Sequence, residues 1–287
     1  MTTPSLRALS DPSPALLGEL DTLLARAYGR PGFQDRVERF LAVQPGGWVV
    51  AMDGSQLVGC GGCVAYPDGG FGWIGLVAVD PGLHRSGIGR LVTTWLVEHL
   101  RSLGCASVLD GSASGAPLYA RMGFADHGVS SLLRAPNRRA EGLSSLGPPA
   151  RHILSSDAAA VYAYDRVRFG ADRAKLLQYL FTAYPNYCFV AADANGNVEG
   201  FAVAQENSLG PFVADTVDAF DALLAATSGG FTADVVTIAV PPGSNWFGRF
   251  EQMGFTTVRE LRRQHFGIGA LGGRPGTIAG QCSFGEG

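Results

Sequence analysis

Apolar positions in the first third of the chain follow helical spacing and then change to strand-like runs. Leu16, Leu17, Leu20, Leu23 and Leu24 recur at intervals of three and four, which predicts a helix over SPALLGELDTLLARAYG. The segment GFQDRVERFLAVQ predicts a second helix, so two amphipathic helices are expected to open the chain. The runs GWVVAM and QLVGCGGCVAY flank DGS and predict a hairpin, while FGWIGLVAV is apolar throughout, as in a strand buried on both faces.

Helices and strands alternate in the next part of the chain. IGRLVTTWLVEHLRSLG predicts a helix that ends near Gly104, and CASVLDG predicts a strand. SGAPLYARMG predicts a short helix, and FADHGVSSLLRA predicts a pair of strands. The segment 136–150, PNRRAEGLSSLGPPA, is rich in proline, glycine and serine, which predicts a linker.

The same order of elements then recurs. The sequence predicts two helices and then a hairpin that turns at NGN. These are followed by a strand at GPFVA, a helix at DTVDAFDALLAATSG and a closing strand–helix–strand unit. YARMGF and FEQMGF occupy corresponding places in the two halves, which indicates an internal duplication. The sequence therefore predicts one domain over 1–135 and a second over 151–287.

Composition narrows the class of protein. Hydrophobic residues make up 46% of the 287 residues, charged residues only 16%, and the net charge is -3, which favours folded domains and gives no basic face for nucleic acid. No segment is apolar for the length that a membrane span requires, and the N-terminus lacks a signal-peptide pattern. We expect a cytoplasmic protein with no nucleic-acid or membrane partner. The oligomeric state cannot be read from the sequence.

The cysteines and histidines predict no metal site. Five cysteines with wide spacing do not suggest a disulfide framework. The C-x-x-C pair Cys60 and Cys63 lies in a predicted strand, where residues three apart point to opposite faces. Buried cysteines are therefore favoured over a metal or redox pair. No H-E-x-x-H motif and no G-x-S-x-G elbow occurs, so neither that type of metal enzyme nor a serine hydrolase is indicated.

The loop between FGWIGLVAV and the following helix can hold an anion. Gly87 and Gly89 have no side chains, so backbone N–H groups at the helix start can approach a ligand closely. Arg85 and Arg90 add positive charge. The arrangement predicts a pyrophosphate site, although a simple strand-to-helix turn in a glycine-rich chain would look similar.

VAVDPGLHRSGIGRLV resembles the acetyl-CoA-binding motif of the GCN5-related N-acetyltransferase (GNAT) superfamily, with His84 where Gln or Arg is usual. APLYARMGF (116–124) is similar to the second hallmark of that superfamily, LY-x-x-x-GF. FGADR (169–173) and GPFVA (210–214) resemble segments of a bacterial subgroup with two tandem GNAT-like domains. The resemblance implies an α/β fold in which each domain is a twisted, mostly antiparallel mixed sheet flanked by helices.

The resemblance also implies acetyl-CoA as cosubstrate and transfer of its acetyl group to an amine, by direct attack in a ternary complex. The backbone of the strand before the loop would polarise the thioester carbonyl, and the loop would bind the diphosphate. The residues concerned are Leu76, Val77, Ala78 and Val79 of the strand and His84, Arg85, Ser86, Gly87, Ile88, Gly89 and Arg90 of the loop.

Three further residues are candidates near the reacting atoms. Tyr119 matches the family position of the general acid that protonates the leaving thiolate, although a packing tyrosine is the alternative. The strand before the loop has no carboxylate, so Asp110 is the candidate base or amine ligand, with a turn or cap carboxylate as the alternative. Ser112 stands where many relatives carry an asparagine beside CoA.

The second half lacks these features. GPFVADTVDAFDALL has no Gly-x-Gly, Asp215 and Asp218 lie near the helix start, and Phe250 stands near the place of Tyr119. We therefore expect one acetyl-CoA site and a second half that shapes the acceptor site, with Tyr164, Asp165 and Arg173 as candidates; helix packing and a salt bridge are the alternative for each. The acceptor is expected to be a small-molecule amine or a peptide. A non-catalytic acyl-CoA sensor and a transferase for longer acyl groups remain alternatives.

Overall fold

The computed structural model describes residues 4–137, 149–228, 231 and 234–287. Most of the predicted linker 136–150 lies outside these residues. Contacts divide the chain into two compact units. The first unit contains Met1–Asp126, Gln264–Gly269 and Glu286, and the second contains His127–Arg263, Ala270–Gly285 and Gly287. The predicted limits 1–135 and 151–287 stay predictions. The contact units differ from them because the first stretch of the first unit ends at Asp126 and because Gln264–Gly269 and Glu286 also belong to that unit.

The two units are built from short strands and helices. The strands are β1 (Ser5–Leu9), β2 (Trp48–Asp53), β3 (Gln56–Tyr66), β4 (Phe71–Val79), β5 (Ala106–Gly111), β6 (Ala125–Pro136), β7 (Arg151–His152), β8 (Cys188–Ala192), β9 (Val198–Gln205), β10 (Ser208–Ala214), β11 (Val235–Val240), β12 (Thr256–Phe266) and β13 (Ile278–Gly280). The helices are α1 (Pro14–Tyr28), α2 (Gln34–Val43), α3 (Ile88–Ser102), α4 (Ala116–Arg121), α5 (Ala158–Phe169), α6 (Ala174–Ala183), α7 (Val217–Thr227) and α8 (Phe247–Gln252).

The first unit is a mixed sheet in the order β1-β2-β3-β4-β5, with the end of β12 beside β5. Strands β1 to β4 pair in antiparallel fashion, and β5 runs parallel to β4. Helix α3 packs closely on β3 because glycines leave room for it. A Cβ atom on Gly59 would lie 2.7 Å from Ile88 Cγ2, and one on Gly61 would lie 2.9 Å from Leu96 Cδ1. The close packing of α3 brings its N-terminus to the end of β4.

The second unit has the strand order β6-β11-β10-β9-β8-β7, with most of β12 beside β6 and β13 on β10. Strand β11 runs parallel to β10, as β5 does to β4. Helix α7 follows β10 in the chain as α3 follows β4. The core between α7, α8 and the sheet includes Phe212, Phe220 and Phe250, all buried. The mixed α/β architecture and the two-domain organisation predicted from the sequence are confirmed.

Two local predictions are wrong. The segment FADHGVSSLLRA forms the single strand β6 rather than a pair, since its backbone continues without a turn from Ala125 to Pro136. The chain does not open with two helices, because β1 precedes α1 and pairs with β2 from Ser5↔Met52 to Leu9↔Trp48. Helix α1 then begins at a Ser13 cap, whose side chain accepts a hydrogen bond from Leu16 N.

Candidate functional site

Strands β4 and β5 form a fork at their carboxyl ends. Their parallel pairing runs from Phe71↔Ala106 to Ile74↔Leu109, although β4 continues to Val79 and β5 to Gly111. The residues that the structure describes include no strand between them beyond this point. Backbone groups of the β4 segment Leu76–Val79 therefore border an opening in the sheet, which is the condition for a ligand to bind alongside them.

A bulge in β4 lies at the opening of the fork. The register against β3 shifts between Cys60↔Ala78 and Gly62↔Gly75, and Leu76 has the left-handed φ of 53°. A non-glycine residue with this conformation is uncommon and must be held by its surroundings. Tyr28, the last residue of α1, donates a hydrogen bond from its hydroxyl to Val77 O at 3.1 Å. This contact ties α1 to the bulge.

The turn that leaves β4 is fixed by Asp80. Its side chain accepts a hydrogen bond from Gly82 N at 2.9 Å and pairs with Arg26 of α1 at 2.9 Å. Asp80 N donates to Val58 O at 3.0 Å, which anchors the turn to β3. The start of the glycine loop is thus held from both α1 and the sheet.

The loop itself ends in an uncapped helix N-terminus. Gly87 precedes α3 with φ 90°, no side chain caps the helix, and its first turn contains no acidic residue. A Cβ atom on Gly87 would meet nothing within 4 Å. His84, Arg85, Ser86 and Arg90 are exposed around this point, and Arg85 has a left-handed φ of 66°. Open space, uncapped N–H groups and two nearby guanidinium groups fit a diphosphate.

Two further loop residues are less exposed. Ile88 is buried and belongs to the core of the first unit, so only its backbone N–H is available at the helix start. A Cβ atom on Gly89 would lie 3.4 Å from Leu118 Cδ2, an ordinary contact. Gly89 therefore brings α3 close to α4, the helix that carries Tyr119.

Tyr119 lies on the inner face of α4 and is 9% exposed. Its ring packs 5.8 Å from the ring of Phe124. A Cβ atom on Gly111 or on Gly115 would lie 3.1 Å from the ring. Its hydroxyl makes no hydrogen bond within the part of the chain that the structure describes. Burial raises the pKa of the Tyr119 phenol to about 12, so the group stays protonated at neutral pH.

Asp110 and Ser112 flank the end of β5. Asp110 is half-buried and stands one residue before the strand ends at Gly111. Ser112 organises the turn into α4, because its hydroxyl oxygen lies 3.2 Å from the donor Gly115 N and 3.1 Å from Ser114 Oγ. Gly115 N also donates to the backbone oxygen of Ser112 at 3.0 Å, so both oxygens of Ser112 hold this turn. Contact of either side chain with a ligand stays a prediction.

The Cys60 and Cys63 pair is part of the core. Cys60 Sγ lies 3.9 Å from Leu76 O, and Cys63 Sγ lies 3.4 Å from Gly47 O. Burial raises the pKa of the Cys63 thiol to about 12 and that of Cys60 further still, so neither is a ready thiolate. None of the five cysteines forms a disulfide, and all five are buried. Among the described residues no group of three or more His, Cys, Asp or Glu could hold a metal ion.

The corresponding fork of the second unit is filled by the chain itself. Strands β10 and β11 pair only over Ser208↔Thr237 and Leu209↔Ile238. Beyond this point β13 pairs with β10 in antiparallel fashion, at Phe212↔Gly280 and Val213↔Ile278. On its other side, Gln281 N donates to Ala239 O of β11 at 2.8 Å. Backbone groups that border an opening in the first unit are thus bound to β13 in the second.

The helix N-terminus beside this filled fork is also satisfied internally. Thr216 caps α7 by accepting a hydrogen bond from Ala219 N at 3.1 Å, and Asp215 pairs with Arg168. The candidates Asp165 and Arg173 form a buried ion pair at 2.8 Å, as the alternative interpretation predicted. Tyr164 donates to Glu199 O at 2.7 Å and lies under the Arg168 guanidinium. These side chains have structural partners within the second unit.

Sequence reasoning missed two side chains near the fork. Tyr28 ends a helix whose apolar pattern explains its packing but not its contact with Val77. Gln264 lies in the first unit and donates from Nε2 to Ala116 O at 3.4 Å, across a separation of 148 residues. No local pattern in the sequence signals a contact over that separation.

Family models match both halves of the chain. A model described as the acetyltransferase (GNAT) family matches residues 17–124, and one described as an acetyltransferase (GNAT) domain matches residues 161–278. A mycothiol acetyltransferase of Geodermatophilus obscurus is 32% identical over 94 residues, which is 30% of this chain and 30% of that protein. The match thus spans less than a third of the length of that relative.

Solved structures share the fold over nearly the whole chain. A presumed acetyltransferase of Pyrococcus horikoshii superposes with a TM-score of 0.83 at 22% identity, covering 100% of this chain and 97% of that one. A GCN5-related N-acetyltransferase of Sphaerobacter thermophilus gives a TM-score of 0.67 at 13% identity, over 91% and 95% of the two chains. A tandem GNAT protein from the clavulanic acid biosynthesis pathway gives 0.64 at 16% identity, over 93% and 100%.

Fold and site together define a two-domain protein with an open sheet fork in one unit and a filled fork in the other. The two family models cover most of the chain between them. The chain belongs to the acetyltransferase (GNAT) family and carries two of its domains in tandem. No helix of the described residues has both the length and the apolar character that a membrane crossing needs.

Proposed function

We propose that this protein transfers an acetyl group from acetyl-CoA to the amine of a small molecule and that only the first unit binds acetyl-CoA. The observation that carries the proposal is the contrast between the two forks. The fork between β4 and β5 is open and faces an uncapped helix, whereas β13 fills the fork between β10 and β11. An extended pantetheine arm, whose amide groups can pair with strand backbone, needs an open fork of this kind.

The residues of the first unit divide the work of binding. N–H groups at the start of α3, from Gly87 onwards, would hold the diphosphate, and Arg85 and Arg90 would add charge. Backbone groups of the β4 segment Leu76–Val79 would hold the pantetheine and donate a hydrogen bond to the thioester oxygen as negative charge develops there. Acetyl-CoA supplies the activated acyl group.

Proton movements would fall to two side chains. The amine must lose a proton as its nitrogen forms the new bond to the acetyl carbon, and the half-buried Asp110 carboxylate is our candidate to accept that proton. The C–S bond breaks when the tetrahedral intermediate collapses and the carbonyl re-forms, and Tyr119 would give its phenolic proton to the departing sulfur. With a pKa raised to about 12 by burial, the Tyr119 phenol carries this proton throughout the neutral pH range.

Release of free CoA thiol over a panel of amines tests the activity. The panel includes alkylamines, amino sugars, peptide N-termini and the acceptor of the mycothiol acetyltransferase relative. Because the five cysteines are buried, a thiol reagent should give little background from the folded protein. Thiol release that depends on one class of amine supports the proposal. Binding of acetyl-CoA without release for any amine would instead indicate a sensor.

Tyr119→Phe and a binding stoichiometry sharpen the test. The variant should lower kcat by about 100-fold or more, as loss of a general acid does, with little change in affinity for acetyl-CoA. Tyr162→Phe, which removes a hydroxyl in the second unit, is the control and should behave as wild type. Calorimetry should find one acetyl-CoA site per chain. Two equivalent sites would contradict the role assigned to β13.

Location in the cytoplasm stays a prediction from the sequence.

A further inference from the structure

The segment Gln264–Gly269 contributes to the first unit although it comes from the end of the chain. The Phe266 ring packs 5.3 Å from the ring of Phe124, which itself contacts Tyr119. A Cβ atom on Gly123 would lie 3.3 Å from the Phe266 ring. The segment therefore lies against α4 and the residues that follow it, and it brings one buried amide side chain to this helix.

That amide belongs to Gln264, which is 1% exposed. Its Nε2 donates a hydrogen bond to Ala116 O in the first turn of α4 at 3.4 Å. A carbonyl oxygen can accept only from the nitrogen of the amide, so Oε1 must point the other way. Oε1 is buried without a hydrogen-bond partner among the described residues. It would lie 2.8 Å from a Cβ atom on Gly111, and Tyr119 Cδ2 would lie 3.1 Å from the same atom.

This orientation is costly for folding. A buried acceptor without a partner lowers stability, and an apolar side chain of similar length would avoid that cost. The hydrogen bond from Nε2 to Ala116 O offsets part of that cost. Gln264 Oε1 and the Tyr119 ring both lie within 3.1 Å of the Cβ position of Gly111, so the amide and the ring border the same small space. A carbonyl oxygen is attracted to the positive edge of an aromatic ring and repelled by its negative face. The amide can thus fix both the first turn of α4 and the direction of the ring that α4 carries.

We propose that Gln264 is a positioning residue for Tyr119 and that the end of β12 thereby completes the active site of the first unit. The effect on catalysis rests on the proposed function, in which Tyr119 donates a proton to the leaving sulfur. Gln264 does not touch the reacting atoms. It acts by holding the phenol of Tyr119 in one orientation relative to the fork. Its effect on kcat should therefore disappear when Tyr119 has no hydroxyl.

Gln264→Met separates this role from packing, because methionine keeps the length of the side chain and removes the amide. We expect kcat to fall about tenfold or more, since small displacements of a catalytic group cost rate steeply. The KM for acetyl-CoA should stay within about twofold, and the thermal midpoint should be unchanged or higher because the orphaned acceptor is gone. In the Tyr119→Phe background the same change should leave kcat unaltered. Gln44→Met removes an amide that bonds Ala65 N instead and should leave kcat as in wild type.

A second measurement does not depend on activity. Fluorotyrosine placed at position 119 gives a fluorine NMR signal, which Gln264→Met should shift or broaden and Gln44→Met should leave in place. An unchanged signal would overturn the proposal, and so would an equal loss of kcat in the wild-type and Tyr119→Phe backgrounds. A shifted signal in a protein that transfers no acetyl group would support the positioning of the ring while rejecting the proposed function. The two failures are therefore distinguishable.

Discussion

The ring of Tyr119 occupies the space that a side chain on Gly115 would fill. A Cβ atom on Gly115 would lie 3.1 Å from Tyr119 Cε2 and 3.6 Å from Cζ. The backbone of Gly115, at φ -88° and ψ -37°, would accept any residue, so a larger side chain here is opposed by its contacts, first with the Tyr119 ring and then with Ser112 Oγ at 3.4 Å. The residue that precedes α4 thus limits where the phenol can lie.

Gly115→Ala should therefore displace the phenol without disturbing the glycine loop, which the proposed function assigns to the diphosphate. We expect a lower kcat, by about tenfold or more, because a shifted acid meets the leaving sulfur poorly. The Kd for acetyl-CoA should stay near the wild-type value. Steady-state kinetics and calorimetry on the same preparation provide both numbers.

Gly18→Ala is the control for this substitution. Gly18 lies in the exposed middle of α1, and a Cβ atom there meets nothing within 4 Å. Alanine should raise the free energy of unfolding by up to about 1 kcal/mol and leave kcat unchanged. Wild-type turnover in Gly115→Ala would show that the position of the ring does not limit the reaction.

A carboxylate in the glycine loop should abolish binding of acetyl-CoA. Gly87→Glu places a negative charge at the start of α3, where the proposed function puts the diphosphate. Gly87 has a φ of 90°, a backbone conformation that is strained for any residue with a side chain. A control variant must therefore carry the same strain. Gly104→Glu does so, since Gly104 has φ 74°, lies in open space and follows the opposite end of α3. Calorimetry should detect acetyl-CoA binding in the control only. Binding in both variants would place the diphosphate elsewhere.

Local patterns were sufficient to predict the strand and the helices that carry the candidate site, because each of these elements is contiguous in the chain. The apolar run that forms β4, the glycines before α3 and the short helix with Tyr119 each have a signature within a few residues. The glycines of the C-x-x-C segment are explained by the packing of α3 and of Trp48, since a Cβ on Gly62 would lie 2.4 Å from the Trp48 ring.

Long-range pairing explains what the sequence left out. Strand β13 has three residues and no strand pattern of its own, because its conformation comes from pairing with β10. In the sequence, Gln264 is one of several polar residues in a predicted strand, and only the fold brings it beside Ala116. The bulge at Leu76 is likewise set by the β3 register and not by any residue preference for a positive φ.

The pH dependence of turnover should reveal the burial of Tyr119. A tyrosine in water loses its proton near pH 10, whereas burial disfavours the phenolate and raises the Tyr119 pKa to about 12. The acid form should persist, so kcat at saturating amine should show no falling limb between about pH 9 and 11. A falling limb near pH 10 in wild type that is missing in Tyr119→Phe would show that the phenol is solvated.

The raised pKa of Tyr119 also makes the free energy of unfolding depend on pH. The folded-state pKa is raised, so the unfolded chain loses this proton first, and the associated stability is lost as pH rises from about 10 to about 12. Circular dichroism at each pH should therefore accompany the kinetics. It separates loss of fold from loss of the acid.

The ion pair of Arg39 and Glu286 supports the first unit from the end of the chain. Arg39 Nε lies 2.6 Å from Glu286 Oε1, and the two side chains are 4% and 0% exposed. Tyr66 also donates to Glu286 O at 2.7 Å. Glu286→Gln keeps the shape and the backbone contact but leaves the guanidinium without its carboxylate. Breaking a buried pair in this way should cost about 3–5 kcal/mol of unfolding free energy.

Two further variants assign that loss to the buried charge. Arg39→Met combined with Glu286→Leu removes both charges and should recover most of the stability, because apolar replacements avoid the desolvation cost of the pair. Arg151→Met breaks an ion pair with Asp157 in which the arginine side chain is 53% exposed, and it should cost no more than about 1 kcal/mol. Denaturant titrations of the four proteins measure these differences. If Glu286→Gln costs no more than Arg151→Met, the buried pair contributes little, and the end of the chain is held to the first unit chiefly by backbone contacts and packing.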